Sequence, residues 1–436
     1  MTVVRISSAV IATAALLLLA LTSAAQADHP PPNQGVQDTP LVVVGREPVA
    51  ATWIGGDSAA GLRFRTAAGD ELLVTSDLVR WGYPAASRAS AEVHLADGSR
   101  LALAESWLGD PPLTLQDDAV RASCDALGEL RFDRQQLAAV FWKLPRDASG
   151  RSRVEHALSR AAEAAAPRDC VLLLSGDIVT GQVLAIGEPP GDSSPPDQPT
   201  VTMRTDFGML ALPIARLAGV LFGAAALAES SANEATARLQ VMLRDGSRLD
   251  AAEFKTQRED LLVRTLGGVN AQVTTPQDVV GLQGFGSGVA YLSDMPPDSF
   301  DQHPEFSAPW PLARDAAVAG GPLLVRGHGY AKGLGMHAPA RAEYSVPPGA
   351  KRFAATVAID DSAAGGGSAI FRVLVRRRDS NEWIESAATE TLRGNDPPQR
   401  LAADVEDVDR VALFVTTADR GDELDRAVWL DARLER

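Results

Sequence analysis

One five-residue string occurs twice, as Asp97-Gly98-Ser99-Arg100-Leu101 and Asp245-Gly246-Ser247-Arg248-Leu249, each time after a run that alternates apolar and polar residues (92–95 and 240–243). Glycine reaches the positive φ of a tight hairpin and aspartate tolerates it, so each copy predicts a turn between two antiparallel strands. A looser copy, Ser175-Gly176-Asp177-Ile178, follows the run 171–174. Each unit also closes with a second hairpin signal: Gly69, Gly128, Gly208 and Gly268 lie twelve residues before Trp81, Val140, Val220 and Val280. Leu130 and Phe132 alternate after Gly128 as Leu210 and Leu212 do after Gly208, and the other two copies drift by one residue. The expectation is four related β units of about 45 to 55 residues over 41–285, shaped as small barrels or meanders.

Connectors between these units differ in kind. Residues 152–166 (SRVEHALSRAAEAAA) place Val154 and Leu158 on one stripe with the charges largely outside it, which predicts a short amphipathic helix. Residues 224–237 read as a second Ala/Glu-rich helical connector, whereas GEPPGDSSPPDQP at 187–199 is a long hairpin loop. Beyond residue 286 the alternating runs lengthen, at 352–359, 369–375, 410–416 and 427–434, and no crossover helices intervene. That texture predicts an antiparallel β-sandwich over 286–436. The fold class is therefore mainly β, a series of small units followed by a sandwich.

The first 27 residues carry Arg5, an apolar run over 10–21 and Ala25-Gln26-Ala27, the pattern of a secretory signal peptide cleaved before Asp28. Pro-rich residues 28–40 read as a linker. No other segment is apolar enough to cross a membrane, so the expected location is outside the cytoplasm: periplasm, cell surface or medium. Lys plus Arg total 41 against 56 Asp plus Glu, a net charge of −15. Such a surface repels phosphate backbones and argues against nucleic acid as a partner. Cys124 and Cys170 are the only cysteines. In an oxidising compartment they permit one disulfide, and two buried free thiols are the alternative.

An enzyme needs a nucleophile, a base or a metal cage. The chain has no GxSxG, HExxH, CxxC or Walker string, and its six histidines are scattered. Only His328 and His337 are near one another, at a spacing that suits no local ligand pair. Asp360 and Asp361 end the run 352–359. Strand geometry sends adjacent side chains to opposite faces, so the two are not aimed at one glycosidic bond. Turn capping, a structural calcium site and a hydrogen bond to a sugar hydroxyl remain open for the pair.

The stretch YAKGLGMHAP at 330–339, with Tyr291-Leu292-Ser293-Asp294 before it, Trp310, Ile359-Asp360-Asp361, FRVLV at 371–375 and the ending DRAVWLDARL at 425–434, resembles the NPCBM family of carbohydrate-binding modules. The landmarks run in order over 291–434, about a third of the chain. Met336 and Ala338 in the glycine turn, Ala358 before the Asp pair and the long hairpin at 376–383 depart from the family pattern. The resemblance implies a discoidin-like jelly-roll sandwich that binds a glycan or polysaccharide without catalysis. Tyr330, Lys332 and His337 in the glycine turn and Trp383 near a hairpin tip are the candidates for sugar contact, Tyr330 and Trp383 because they are expected to be exposed. No cofactor is called for, and a structural calcium at Asp360 and Asp361 is the one candidate. The expected function is that of an exported, non-catalytic carbohydrate-binding protein. The alternative is a structural or protein-interaction component of a cell-envelope or surface assembly.

Overall fold

A computed structural model describes residues 39–87, 89–105, 111–144, 168–187, 199–223, 238–286, 288–304, 309–419 and 421–436. The leader read over 1–27, the linker up to residue 38, both helical connectors and residues 188–198 of the Pro-rich loop lie outside the described residues.

The first unit runs Pro40–Val43, Val49–Asp57, Gly61–Thr66, Gly69–Leu73, a 3-10 turn Thr75–Asp77 and Leu78–Gly82. The same order recurs over Asp169–Leu173, Ile178–Gly187, Thr200–Thr205, Gly208–Pro213, Ile214–Arg216 and Leu217–Leu221. It recurs again over Arg238–Leu243, Arg248–Gln257, Asp260–Thr265, Asn270–Val273, Pro276–Asp278 and Val279–Phe285. The second unit differs only in splitting its long strand into Arg100–Ala102 and Leu113–Gln116, between Ala91–Leu95 and the strands Ala119–Cys124, Gly128–Asp133 and Leu137–Trp142. In each unit the first strand pairs antiparallel with both the second and the last. The amides of Val44, Ala96, Leu174 and Arg244 donate to the carbonyls of Asp77, Gln136, Arg216 and Asp278, one per unit at the end of the 3-10 turn. Gly98, Gly176 and Gly246 occupy equivalent turns, at φ 94°, 91° and 96°.

Units associate through their last strands. Leu78–Gly82 of the first pairs with Val279–Phe285 of the fourth, and Leu137–Trp142 of the second with Leu217–Leu221 of the third. The first of these ladders runs so close that a Cβ on Gly284 would lie 2.0 Å from the Leu78 carbonyl oxygen, so glycine is the residue that fits.

The letter-for-letter repeat has a second cause beyond the turn. Arg100 and Arg248 are Cα partners across the second and fourth units. Ser99 and Ser247 are fully buried there. The Ala102 amide donates to Ser247 Oγ at 2.9 Å, and the Asp250 amide donates to Ser99 Oγ at 3.0 Å. Each serine therefore serves the residue three places beyond its own twin. The aspartates repeat the exchange: each accepts the amide of its own serine, Asp97 Oδ2 also takes the Gly267 amide of the fourth unit, and Asp245 Oδ2 takes the Ala126 amide of the second. Two equal strings are needed because the contact is reciprocal.

The C-terminal part is a β-sandwich. One sheet orders Ala313–Arg314, Gly333–His337, Arg426–Glu435, Arg352–Ile359 and Gln399–Asp404, with Val289–Tyr291 also paired to Arg426–Glu435. The other orders Ser299–Gln302, Ala340–Ser345, Val408–Thr417, Ser368–Arg377 and Trp383–Ala388, with Leu392–Arg393 paired to Ser368–Arg377. The alternation of Phe353, Phe371 and Val415 brings one side of each strand inward around Trp429. The Trp429 ring meets Phe371 edge-on at 5.3 Å between centroids.

Cys124 and Cys170 are both buried free thiols, so the disulfide they permit is not formed. Cys124 pairs with Gly128 in the second unit's hairpin and Cys170 with Thr180 and Leu221 in the third unit. Strand pairing has directed them into separate ladders. Burial raises both thiols above the ordinary cysteine range, which leaves them inert.

Ser99→Ala and Ser247→Ala each leave a buried amide without its acceptor. Each is expected to lower the unfolding free energy by about 1–3 kcal/mol in urea titration, with the double variant non-additive if the two turns move together.

Candidate functional site

The structure splits the four residues expected to meet a sugar between three places. Tyr330 is not exposed, and this corrects the sequence reading: it is 5% accessible and packs with Leu323, Val325, Val428 and Leu430. The reason is tertiary. The hairpin Leu323–Val325 and His328–Tyr330 folds against the first β unit, where the Arg80 guanidinium lies 4.9 Å from the Tyr330 ring and 4.6 Å from that of Tyr83. Arg80 is itself buried, and its Nε donates to Asp431 Oδ2 at 2.9 Å while Nη1 donates to the Gly82 carbonyl.

Lys332 lies on the same side and is also buried. Its ammonium donates to Asp294 and Asp315, beside the rings of Phe285 and Tyr291. Tyr291 completes this junction: its hydroxyl accepts from Gln283 Nε2 and lies within hydrogen-bond reach of the Val79 and Gly284 carbonyls. Tyr330 and Lys332 thus hold the sandwich against the repeats.

Asp360 and Asp361 converge, contrary to the opposite-face expectation, because the strand ends at Ile359 and Asp361 opens a 3-10 turn. Asp360 accepts the amides of Leu324 and Ser362, and Asp361 those of Arg326 and Gly327. Three of the four carboxylate oxygens thereby clamp the hairpin that carries Tyr330, and the fourth caps the 3-10 turn at Ser362. Burial raises the Asp360 carboxyl above its ordinary value, against the pull of these donors. Among the described residues no group of three or more His, Cys, Asp or Glu is placed to hold a metal ion.

His337 occupies the far end of Gly333–His337, away from that junction. Its ring stacks on Trp310, 5.3 Å between centroids and 6° from parallel. Gln302 ties the pair together, since its Nε2 donates to the His337 carbonyl at 3.1 Å and its Oε1 accepts the Trp310 amide. His337 Nδ1 lies 3.0 Å from the Ala338 carbonyl. A carbonyl can only accept, so in the neutral ring Nδ1 carries the proton and Nε2 keeps its lone pair. Burial holds His337 below the ordinary histidine value; the Ala338 carbonyl and Asp422 act upward and Arg426 downward. Trp310 stays half-buried, and Arg426 reaches the Ser362 carbonyl at the same end of the sandwich. A partly open indole, an imidazole acceptor and a nearby acid and guanidinium form a set that can meet both the apolar face and the hydroxyls of a pyranose ring. In the sequence Trp310 is legible only as a landmark of the resemblance, and no local pattern singles out Gln302, Asp422 or Arg426. The signal for Trp310 was its place in a proline-flanked loop, Pro309-Trp310-Pro311.

Trp383 is half-buried on the outer side of the second sheet, and its indole packs on Arg341 at 4.5 Å and Arg376 at 5.6 Å. Arg376 is held in turn by a two-pronged pair with Asp409. Trp383 and His337 are carried by different sheets.

With this geometry in place, residues 288–435 match the family model described as the NPCBM/NEW2 domain. No curated protein matches the chain. Among solved structures, the CBM51-2 and INT domains of Clostridium perfringens ZmpB in complex with GlcNAc share 25% identity with it, over 41% of this chain and 36% of that one, at a TM-score of 0.30. A CBM51 from Clostridium perfringens GH95 in complex with methyl-galactose shares 21% identity, over 34% of this chain and 99% of that one, at a TM-score of 0.29. Tandem CBM51 modules of Sp3GH98 from Streptococcus pneumoniae SP3-BS71 share 11%, over 61% and 87%, at 0.27. The match to the NPCBM/NEW2 domain covers the C-terminal third of the chain.

Two measurements probe this arrangement. Asp431→Asn removes the charge that compensates buried Arg80 and is expected to destabilise the protein by about 3–5 kcal/mol in chemical denaturation. For His337, the folded ring is harder to protonate than the unfolded one. Its contribution to stability is therefore present above the ordinary histidine value and is lost as the pH falls through the lower folded value. The thermal midpoint of the native chain should thus fall more steeply than that of His337→Gln between about pH 7 and pH 5.

Proposed function

We propose that the protein is an exported, non-catalytic carbohydrate-binding protein whose C-terminal sandwich recognises a glycan at the end that carries Trp310 and His337. The match of residues 288–435 to the NPCBM/NEW2 domain carries this reading. The stacked Trp310–His337 pair supports its placement. Export is supported by the leader pattern in residues 1–27, and no helix among the described residues is long and apolar enough to cross a membrane. The non-catalytic reading is supported by the sequence, in which no nucleophile, base or metal string was found.

In this mechanism the indole face of Trp310 covers the apolar side of a sugar ring. His337 Nε2 accepts from one hydroxyl, while Asp422 and Arg426 orient the site. The stacked imidazole fixes the indole before ligand arrives, which reduces the ordering cost of binding.

A second reading, a structural or protein-interaction component of an envelope assembly, draws on the junction. Tyr330 and Lys332 lie against Arg80 and Phe285 of the repeats, and Asp360 and Asp361 clamp the hairpin that carries Tyr330. The two readings separate by affinity electrophoresis of the mature chain on galactose-, fucose- and plant-polysaccharide surfaces. Retention on at least one of them is expected, with Trp310→Ala weakening it by roughly tenfold or more and Trp383→Ala leaving it within about twofold. No retention on any surface would favour the structural reading.

A further inference from the structure

Where the second and fourth β units meet, each contributes two pieces of itself: the turn after its first strand and the tip of its second hairpin. Asp97 in the second unit's turn accepts the amide of Gly267 in the fourth unit's tip, and Asp245 in the fourth unit's turn accepts the amide of Ala126 in the second unit's tip. Turn meets tip in both directions, so the contact is self-complementary in the way a twofold interface between identical subunits is. The first unit's turn is engaged differently: the Gly45 amide donates to Glu435 and Glu47 pairs with Arg400, both of the sandwich.

The third unit has the same turn and tip, and both face solvent. Its turn, Ser175-Gly176-Asp177, is closed by a bond of its own, from the Ser175 hydroxyl to Asp177 at 2.8 Å. On either side of it Leu174 and Ile178 are 52% and 49% exposed. They stand where the second unit has Ala96 and Arg100 and the fourth has Arg244 and Arg248, two residues before and after the turn glycine. The tip, between the strands Thr200–Thr205 and Gly208–Pro213, carries Phe207 wholly exposed, followed by Met209 and Leu210, also exposed. Leu127, which precedes Gly128 of the second unit as Phe207 precedes Gly208, is 6% exposed and belongs to the core. Among the described residues Gly208–Pro213 pairs with Thr200–Thr205 alone, which leaves a free strand edge beside these side chains. Single exposed apolar residues need no explanation, but five grouped on one turn and one tip mark an interaction surface.

We propose that this face of the third unit docks a second copy of the chain, setting the turn of each copy against the tip of the other about a twofold axis. The chain's own contact between second and fourth units identifies this occupant, because it joins the same two elements by the same reciprocity. Apolar residues in place of the polar exchange suit separate molecules, since burial of apolar area drives association while a single amide-to-carboxylate bond adds little net. Pairing of this kind is independent of what the sandwich binds.

Sedimentation velocity of the mature chain from about 1 to about 100 μM reads the equilibrium directly. Concentration-dependent dimerisation is expected, with Phe207→Glu weakening it by roughly tenfold or more and Leu72→Glu, at an exposed position of the first unit, leaving it within about twofold. Phe207 is wholly exposed, so folding of its variants is verified by an unchanged thermal midpoint at the lowest concentration. In oxidised glutathione, an equimolar mixture of a Leu174→Cys chain and a Phe207→Cys chain should form a disulfide-linked pair faster than either chain alone. The native thiols are buried and do not compete. A monomer at every concentration, a dimer that Phe207→Glu leaves intact, or Phe207→Cys chains that link to one another as fast as to Leu174→Cys chains would each overturn the assignment. A monomeric chain that pellets with phosphatidylcholine vesicles, and loses this with Phe207→Glu, would overturn it in favour of a lipid surface.

Discussion

The buried ion pair between Arg80 and Asp431 ties the two parts of the molecule together. Both side chains are almost wholly withdrawn from water, and a guanidinium in that position must be compensated or the structure opens to hydrate it. Asp431, the Gly82 carbonyl and the faces of Tyr83 and Tyr330 supply that compensation from both sides of the junction. The sandwich is therefore fixed to the repeats by groups that none of its own strands could satisfy alone. The strand Arg426–Glu435 is buried at nearly every position as a result, including Arg433 and Glu435, which pair with each other. Glu435 also takes the Gly45 amide of the first unit.

A second constraint organises the repeats. Each DGSRL string makes its own hairpin and also completes the other, through serine hydroxyls that cross between units. A contact of this kind selects for identity at both ends, because a change in one copy leaves a buried amide of the other unsatisfied. Elsewhere the four units have diverged, as at the second unit's interrupted strand, where only the ladder pattern is shared.

Much of this was legible. Positive-φ glycines fall where Asp-Gly and the twelve-residue spacing placed them, the strand 352–359 has the bounds its alternation suggested, and both sheets are antiparallel. Trp429 fills the core as its apolar neighbours implied. Local pattern reports these features because they depend on periods of two and on turn chemistry. Site residues were less legible. Tyr330 sits in a glycine-flanked loop that reads as exposed, and nothing near it in sequence reveals that Arg80 and Tyr83, some 250 residues earlier, cover it. The adjacent aspartates were assigned opposite faces by strand geometry, and a single 3-10 turn reversed that. Trp310 gained its role only when folding laid it on His337.

By itself the sequence determined the β class, the repeat, the turns and the NPCBM character of the last third, all properties written in residues close together along the chain. Which aromatic rings face solvent, whether Cys124 and Cys170 meet, where Lys332 spends its charge and how two serines come to complete each other's hairpins were decided by tertiary structure. The physical reason is the same in each case: burial and charge compensation are set by partners brought from distant segments, and no local pattern encodes them.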